Sequence, residues 1–481
     1  MKKILFIVYY ELKEYLASIK EQFEKFNMVM IHYPLFKFAY DSNDKIKNYN
    51  EHLNNFIKEN EPDIILWWFI DVPYDIFKYI KDNNKDILYI MYNVDDPINL
   101  SKDIFDKASL FDIIITPCKD SIHKYKLYSK VKKVIFGIFG YDPSVFYPID
   151  NINDYTSEYN EYTNDISIVI HNLFTDQELY KYQYINSIEL INNVIKYSNE
   201  NNKKFKIYGS PIIKEYFPDN YGGNPQYHNI NFIYNFSKIN LSLHAFSNKS
   251  LSTNEHIMSI LGSSGLLMID HIKDLDNLLK NNYECIYIEK DNYIQQIDNI
   301  LKNYDIHNDI KKNGKLVSNK YSWYEWTKKI VIEIGILDFN PKLYKLLHNL
   351  DDIPDNNLIE YWKTIGIEKN DVCYNFKIPP NFNYEQYIID NSLQIKDQSF
   401  AYYHWYKTSK KDIYMKNKEK NNNINLIECG VSPNQYIKIL NLLNKIYNNE
   451  SKDKSLLKLG CICQLENIDI NKIINNYFDI V

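Results

Sequence analysis

The chain has 481 residues, 45% hydrophobic and 25% charged, enough for about three packed domains and too apolar for a disordered or fibrous protein. Its 56 Lys+Arg against 62 Asp+Glu give a net charge of -6, and no block is strongly basic, so nothing suits a nucleic-acid backbone. Arginine is absent and Gly numbers only 12, so any phosphate must be held by Lys, His, backbone N–H groups or a helix N-terminus.

The abundance of Asn, Ile, Lys and Tyr reflects AT-rich codons. The six cysteines (Cys118, Cys285, Cys373, Cys429, Cys461 and Cys463) are scattered and complete no zinc set, which points to a reducing compartment and no metal site. The start, Met1 to Tyr10, has a short apolar run like that of a signal peptide. It lacks a cleavage site and runs into Glu11 and Glu14, so it reads as a first buried strand. No run approaches the ~18 apolar residues that cross a bilayer, and the expected location is cytoplasmic.

In chain order, Ile4–Tyr9, Met28–His32, Ile64–Ile70, Ile87–Tyr92, Ile113–Thr116 and Val134–Phe136 read as strands. Helical stretches at Tyr15–Phe26, Lys45–Lys58 and Tyr74–Lys81 separate them. Such alternation predicts a parallel sheet with crossover helices, a Rossmann-like domain over 1–147. Residues 148–164 are polar and aperiodic, as a linker would be.

A second series over 165–337 has strands at Ile166–Ile170, Phe205–Tyr208, Ile239–His244, Leu266–Ile269 and Cys285–Ile288. Its helices are Leu179–Tyr197, Glu255–Leu261, Tyr293–Lys302 and Trp323–Ile334. Two α/β Rossmann-like domains predict a cleft between them, with ligands outside the carboxyl ends of the strands.

Beyond 338 the alternation stops. Phe339-Asn340, Tyr344, Leu350 and Trp362 recur 43 residues later as Phe382-Asn383, Tyr387, Leu393 and Trp405. We expect two helical Trp-bearing repeats over 338–415, their tryptophans packing small cores, then a linker and helical tail over 416–481.

The chemistry concentrates in Asn240-Leu241, His244, Asn254-Glu255-His256 and Gly262-Ser263-Ser264-Gly265, ending at Asp270. Small residues in a turn beside a helix can offer N–H donors to a pyrophosphate, and a helix starting near Thr253 or Asn254 would aim its positive end at that loop. The plainer alternative is a helix C-cap before a buried strand.

This segment resembles the donor-binding segment of CgeB-like, group 1 GT-B glycosyltransferases, giant-virus members included. Asp95-Asp96-Pro97, Gly140 to Pro148, His171-Asn172-Leu173 and Ile207-Tyr208-Gly209 resemble further parts of that family, and the likeness spans roughly 1–335. The repeat is similar to a Trp-bearing module appended to giant-virus members. The chain departs from the pattern in having His256 where the family usually has Arg and Ser259 where many members place a ribose-binding Glu. Glu255 is the nearest substitute carboxylate.

The resemblance implies a metal-independent glycosyltransferase with no cofactor, a nucleotide-sugar as donor substrate and a glycan or protein as acceptor. The donor residues expected from the resemblance and the local chemistry together are His171, Asn172, Gly209, Lys238, His244, Asn254, Glu255, His256, Gly262, Ser263, Ser264 and Gly265.

Asp95 or Asp96 could act as general base just past a strand end. Alternatively, Asp96-Pro97 caps the next helix, with Pro at N1. His171 and His244 are catalytic candidates or satisfied sheet-edge residues, Trp67-Trp68 a sugar platform or core, and Lys238 and Lys249 phosphate partners or surface lysines.

With no arginine, donor affinity is expected to rise as His256 gains charge toward acid pH. Two rival functions stay open. One is a binding or scaffold protein that lost turnover; the other is a sugar-nucleotide epimerase-like enzyme.

Overall fold

The structure is a computed structural model that describes residues 2–9, 14–35, 47–69, 72–149, 161–171, 173–174, 185–244, 248–374, 378, 382–395, 397–405 and 407–408. The chain divides into two compact units. One comprises Met1–Leu337 with Lys363–Asn370, the other Asp338–Trp362 with Asp371–Val481.

The first unit opens with β1 (Lys3–Val8), α1 (Glu14–Lys25), β2 (Val29–Pro34), α2 (Lys47–Asn60), β3 (Ile64–Trp67) and α3 (Tyr74–Asn83). It continues with β4 (Leu88–Tyr92), α4 (Lys102–Ala108), β5 (Ile113–Thr116), α5 (Ser121–Tyr128) and β6 (Lys133–Phe136). These strands form one parallel sheet in the order β2-β1-β3-β4-β5-β6. Ile64–Trp67 and Ile113–Thr116 are buried on both faces, which is why they read as unbroken apolar runs. Trp67 and Trp68 are core residues, not an exposed platform.

A second parallel sheet follows: β7 (Asn164–Val169), α6 (Ile185–Glu200), β8 (Phe205–Tyr208), α7 (Ile213–Tyr216), β9 (Tyr221–Gly223), α8 (Ile230–Phe236), β10 (Ser237–Ser242), α9 (His256–Gly262), β11 (Leu267–Ile269) and β12 (Ile286–Tyr287). Its order is β12-β11-β10-β7-β8-β9. One core cluster holds Ile166, Val194, Phe205 and Leu241, and another holds Tyr234, Ile257, Leu261 and Leu267.

Three helices close the unit: α10 (Tyr293–Lys302), α11 (Asn308–Ser318) and α12 (Trp323–Leu337). Through α12 the chain returns to the first sheet. The Trp323 ring lies 5.7 Å from Tyr15 and 6.1 Å from Trp68, and Trp326 lies 5.4 Å from Tyr92. Tyr324 and Lys328 of the same helix bond Glu368, which ties the 363–370 segment to this unit.

Most expected strands appear with ends shifted by a residue or two. Elements that periodicity did not announce, among them α4, α7, α8, α11 and β9, are also present. Tyr221–Gly223 is three residues long and contains two glycines, too short for alternation to register.

A strap also joins the halves of this unit. The Lys119 amide donates to the Ser250 carbonyl at 3.0 Å, and the Ser250 amide donates to Asp120 Oδ2 at 3.0 Å. The Ser250 hydroxyl in turn donates to Asp274 Oδ2 at 2.5 Å, and Lys273 pairs with Asp120 at 3.2 Å.

The second unit contains α13 (Pro341–His348), α14 (Leu358–Tyr361) and α15 (Tyr384–Asp390). Asn340 caps α13 by accepting from the Leu343 amide, and Asn383 caps α15 by accepting from the Gln386 amide. Phe339 lies 5.3 Å from Tyr344 and 6.0 Å from Trp362, while Phe382 lies 5.7 Å from both Tyr387 and Trp405. The 43-residue sequence repeat is thus a repeated aromatic cluster, but Trp362 is buried and Trp405 is 37% exposed. The tail expected beyond residue 415 lies outside the described residues, as do Cys429, Cys461 and Cys463.

Candidate functional site

Two adjoining pockets lie where the carboxyl ends of the two sheets face each other. The larger, about 490 Å³, is lined by residues that include Glu14, Tyr15, Gln226, Tyr227, Ser259 and Trp323. The smaller, about 310 Å³, is lined by Asp95, Asp96, Pro97, Ser242, His244, Thr253 and Asn254 among others. Four residues line both and form the neck between them: Tyr15, His171, Glu255 and His256.

The sheet topology explains this convergence. His171 follows β7, His244 follows β10, and Asp95-Asp96 follow β4, each just past a carboxyl end. Asn254 braces the turn into α9, with its Oδ1 accepting from the His256 amide at 3.1 Å and its Nδ2 donating to the Leu243 carbonyl at 3.2 Å. Gly209, after β8, has φ +146, and a Cβ there would lie 2.1 Å from the Ile170 carbonyl oxygen. Gly209 is therefore a close-approach glycine that supports the pocket wall at Ile170 and does not itself line either pocket.

The titratable groups at the neck are tuned by burial. Burial and then the neighbouring charge of Glu14 raise the Glu255 carboxyl to about 7, although its side chain remains 41% exposed to the cleft. His256 is pushed down to about 3, by burial first and then by His171 and His244. Its Nδ1 shares a 2.9 Å hydrogen bond with the Tyr234 hydroxyl. Burial also lowers His171 and raises the Tyr15 phenol. No lysine lines either pocket among the described residues.

Asp96 differs from Glu255. It is 4% exposed, its Oδ1 accepts from Ser121 Oγ at 2.5 Å, and its Oδ2 accepts from Thr116 Oγ1. Burial raises it to about 7 against those bonds. The expectation that it caps a helix fails, because α4 begins at Lys102 with Ser101 as N-cap.

His244 is also buried. Its Nδ1 lies 2.6 Å from Asp270 Oδ1, and its Nε2 has no partner among the described residues.

Three expectations need correction. Gly262, Ser263, Ser264 and Gly265 stand at the far end of α9 from the pockets, and they are the helix C-cap. The Ser263, Ser264 and Gly265 amides donate to the Ser259, Leu261 and Ile260 carbonyls, so none is free for phosphate. A Cβ at Gly262 would meet the Tyr141 ring at 2.4 Å, so this glycine serves packing.

Lys238 lies near the amino end of β10, opposite the pockets, and pairs with Asp165 at 2.9 Å. His256 is neutral through the physiological range and does not supply the cation expected of it.

Asn172 lies outside the described residues. Sequence reasoning missed Tyr15, Tyr227 and Glu14, whose sole signal was their place just after a strand or before a helix.

Among the described residues no helix is long and apolar enough to cross a membrane, and no group of three or more metal-binding side chains occurs. No family model matches the chain, and no curated protein matches it. Solved structures do. Sucrose-phosphate synthase from Thermosynechococcus elongatus aligns over 70% of this chain and 99% of its own, at 8% identity and a TM-score of 0.52. HepE from Anabaena in complex with UDP-glucose aligns over 70% of this chain and 100% of its own, at 10% identity and a TM-score of 0.51. At such identities the likeness shows the fold: two Rossmann-like domains in the GT-B arrangement.

Proposed function

We propose that the chain is a metal-independent glycosyltransferase that moves a sugar, a hexose in the simplest case, from a nucleotide-sugar donor to a glycan or protein acceptor. Residues 165–337 hold the donor and residues 1–147 face the acceptor. The observation that carries this reading is the pair of joined pockets at the facing carboxyl ends of the two sheets. A nucleotide fills the larger, the sugar and acceptor meet in the smaller, and the diphosphate spans the neck.

HepE, a structural neighbour with this architecture, holds UDP-glucose. The finer placement among CgeB-like, giant-virus-type enzymes rests on the sequence motifs, and a cytoplasmic location fits the scattered cysteines. Of the two expected carboxylates, Asp95 lines the smaller pocket, whereas Asp96 is buried and accepts from Ser121 and Thr116. Asp95 would accept the acceptor's hydroxyl proton as the bond to the sugar forms.

The test is release of UDP from UDP-glucose by the purified chain, with and without EDTA and a panel of glycan acceptors. Acceptor-dependent release insensitive to EDTA supports the reading. Binding of UDP-glucose without any release supports the second reading, a catalytically impaired sugar-nucleotide-binding scaffold. That reading is favoured by the absence of lysine from the pocket linings among the described residues. An epimerase-like enzyme would instead convert UDP-glucose without releasing UDP.

A further inference from the structure

A nucleotide-sugar that reaches from one pocket into the other must pass its diphosphate through the neck. The groups there are the Tyr15 phenol, the His171 and His256 imidazoles, and the Glu255 carboxyl. Neither imidazole favours its charged form, because burial disfavours it in both. An ionised Glu255 beside Glu14 would confront the diphosphate with like charge, which costs affinity. A neutral carboxylic acid in the same place offers an O–H donor instead.

We propose that Glu255 meets the donor's diphosphate as a protonated carboxylic acid, donating its hydroxyl hydrogen to a phosphate oxygen at the neck between the two pockets. This rests on the nucleotide-sugar reading above. The charged and titratable groups around Glu255 are Glu14 and Tyr15 of α1, Tyr92 of β4, Asp95 after β4, His171 after β7, Tyr227 before α8, Tyr234 of α8 and His256 of α9. Burial and the neighbouring charge of Glu14 favour the neutral acid, the phenols are uncharged, and no lysine among the described lining residues opposes this. The unusual position of the carboxyl, raised to about 7, makes the acid available near neutrality.

The experiment is calorimetric binding of UDP-glucose between about pH 6 and about pH 8, an interval in which its diphosphate diester does not ionise. If only the protonated enzyme binds, affinity falls about tenfold across that interval, since each unit above the carboxyl's midpoint removes a factor of ten. Glu255→Gln, which keeps the shape and remains neutral, flattens the profile and binds at about pH 8 as tightly as wild type does at about pH 6. His256→Gln keeps the slope.

Wild-type affinity that is flat or rises with pH overturns the proposal while leaving the nucleotide-sugar reading in place. So does a slope that survives Glu255→Gln and vanishes in His256→Gln. A wild type that binds no UDP-glucose at any pH overturns the reading itself. The wild-type profile stands alone if the Gln variant fails to fold, and Glu255→Asp, which retains the titration, then serves as the second variant.

Discussion

The two halves of the first unit have the same six-stranded parallel architecture, yet they meet the cleft differently. The first presents interlocked rings and a carboxyl already in use: Trp68, Tyr92 and Trp323 pack edge to face, and Asp96 is held by Thr116 and Ser121. The second presents loops and the turn into α9, with Glu255 open to the cleft and His256 beside it. Both carboxyls are raised to about 7, mainly by burial. A perturbed carboxyl therefore does not by itself mark function; the exposure of its oxygens to a ligand separates the two.

Substitutions at three positions break or sharpen this contrast. The largest effect is expected for Trp323→Ala, which removes a ring 1% exposed that joins α12 to the first half and walls the larger pocket. Chemical denaturation should show a loss of about 3–5 kcal/mol. If stability barely changes while UDP-glucose binding collapses, the rigid wall is misjudged.

Next comes Asp96→Ala, which strands two buried hydroxyl donors at a cost of about 1–3 kcal/mol. Asp96→Asn separates charge from shape. The folded carboxyl is raised above its unfolded value, so its contribution is full below the ordinary carboxylate range and is lost as pH rises through about 7. Wild-type stability should therefore decline with rising pH in that window, by at most about 1.4 kcal/mol per unit, and the Asn variant should lack that slope. An unchanged slope would mean that Asp96 is ionised throughout.

The smallest effect belongs to Lys238→Ala. It breaks a half-exposed pair with Asp165 worth about 0.5 kcal/mol and should leave UDP-glucose affinity untouched. A loss of affinity would return this lysine to the donor site.

The sheets were legible because buried parallel strands must be apolar runs, and Ile113–Thr116 and Phe205–Tyr208 have the ends that their composition predicts. The site was legible only as an address. His171, His244, Asn254 and Glu255 stand at strand ends or helix starts, and the fold gathers them.

Their chemistry was not legible, because it depends on neighbours distant in sequence. His256 lies against Tyr234, His171 and His244, and burial removes the charge its side chain suggested. Gly262 to Gly265 look like a phosphate cradle in isolation, but every amide after Gly262 is consumed by the preceding turn of helix. Lys238 was misplaced although its position was legible: it stands at the amino end of its strand, and ligands lie outside the carboxyl ends.

The strap through Ser250 couples the joint between the two halves to a pocket wall. The residues that follow it, Ser252, Thr253 and Asn254, line the smaller pocket, and Ser250 itself holds main-chain bonds to the other half. The halves of the unit cannot part without breaking these bonds, which hold the segment that leads into the wall of the smaller pocket. Separating the two halves would therefore strain the wall of the smaller pocket as well, because one segment carries both the bonds and the wall.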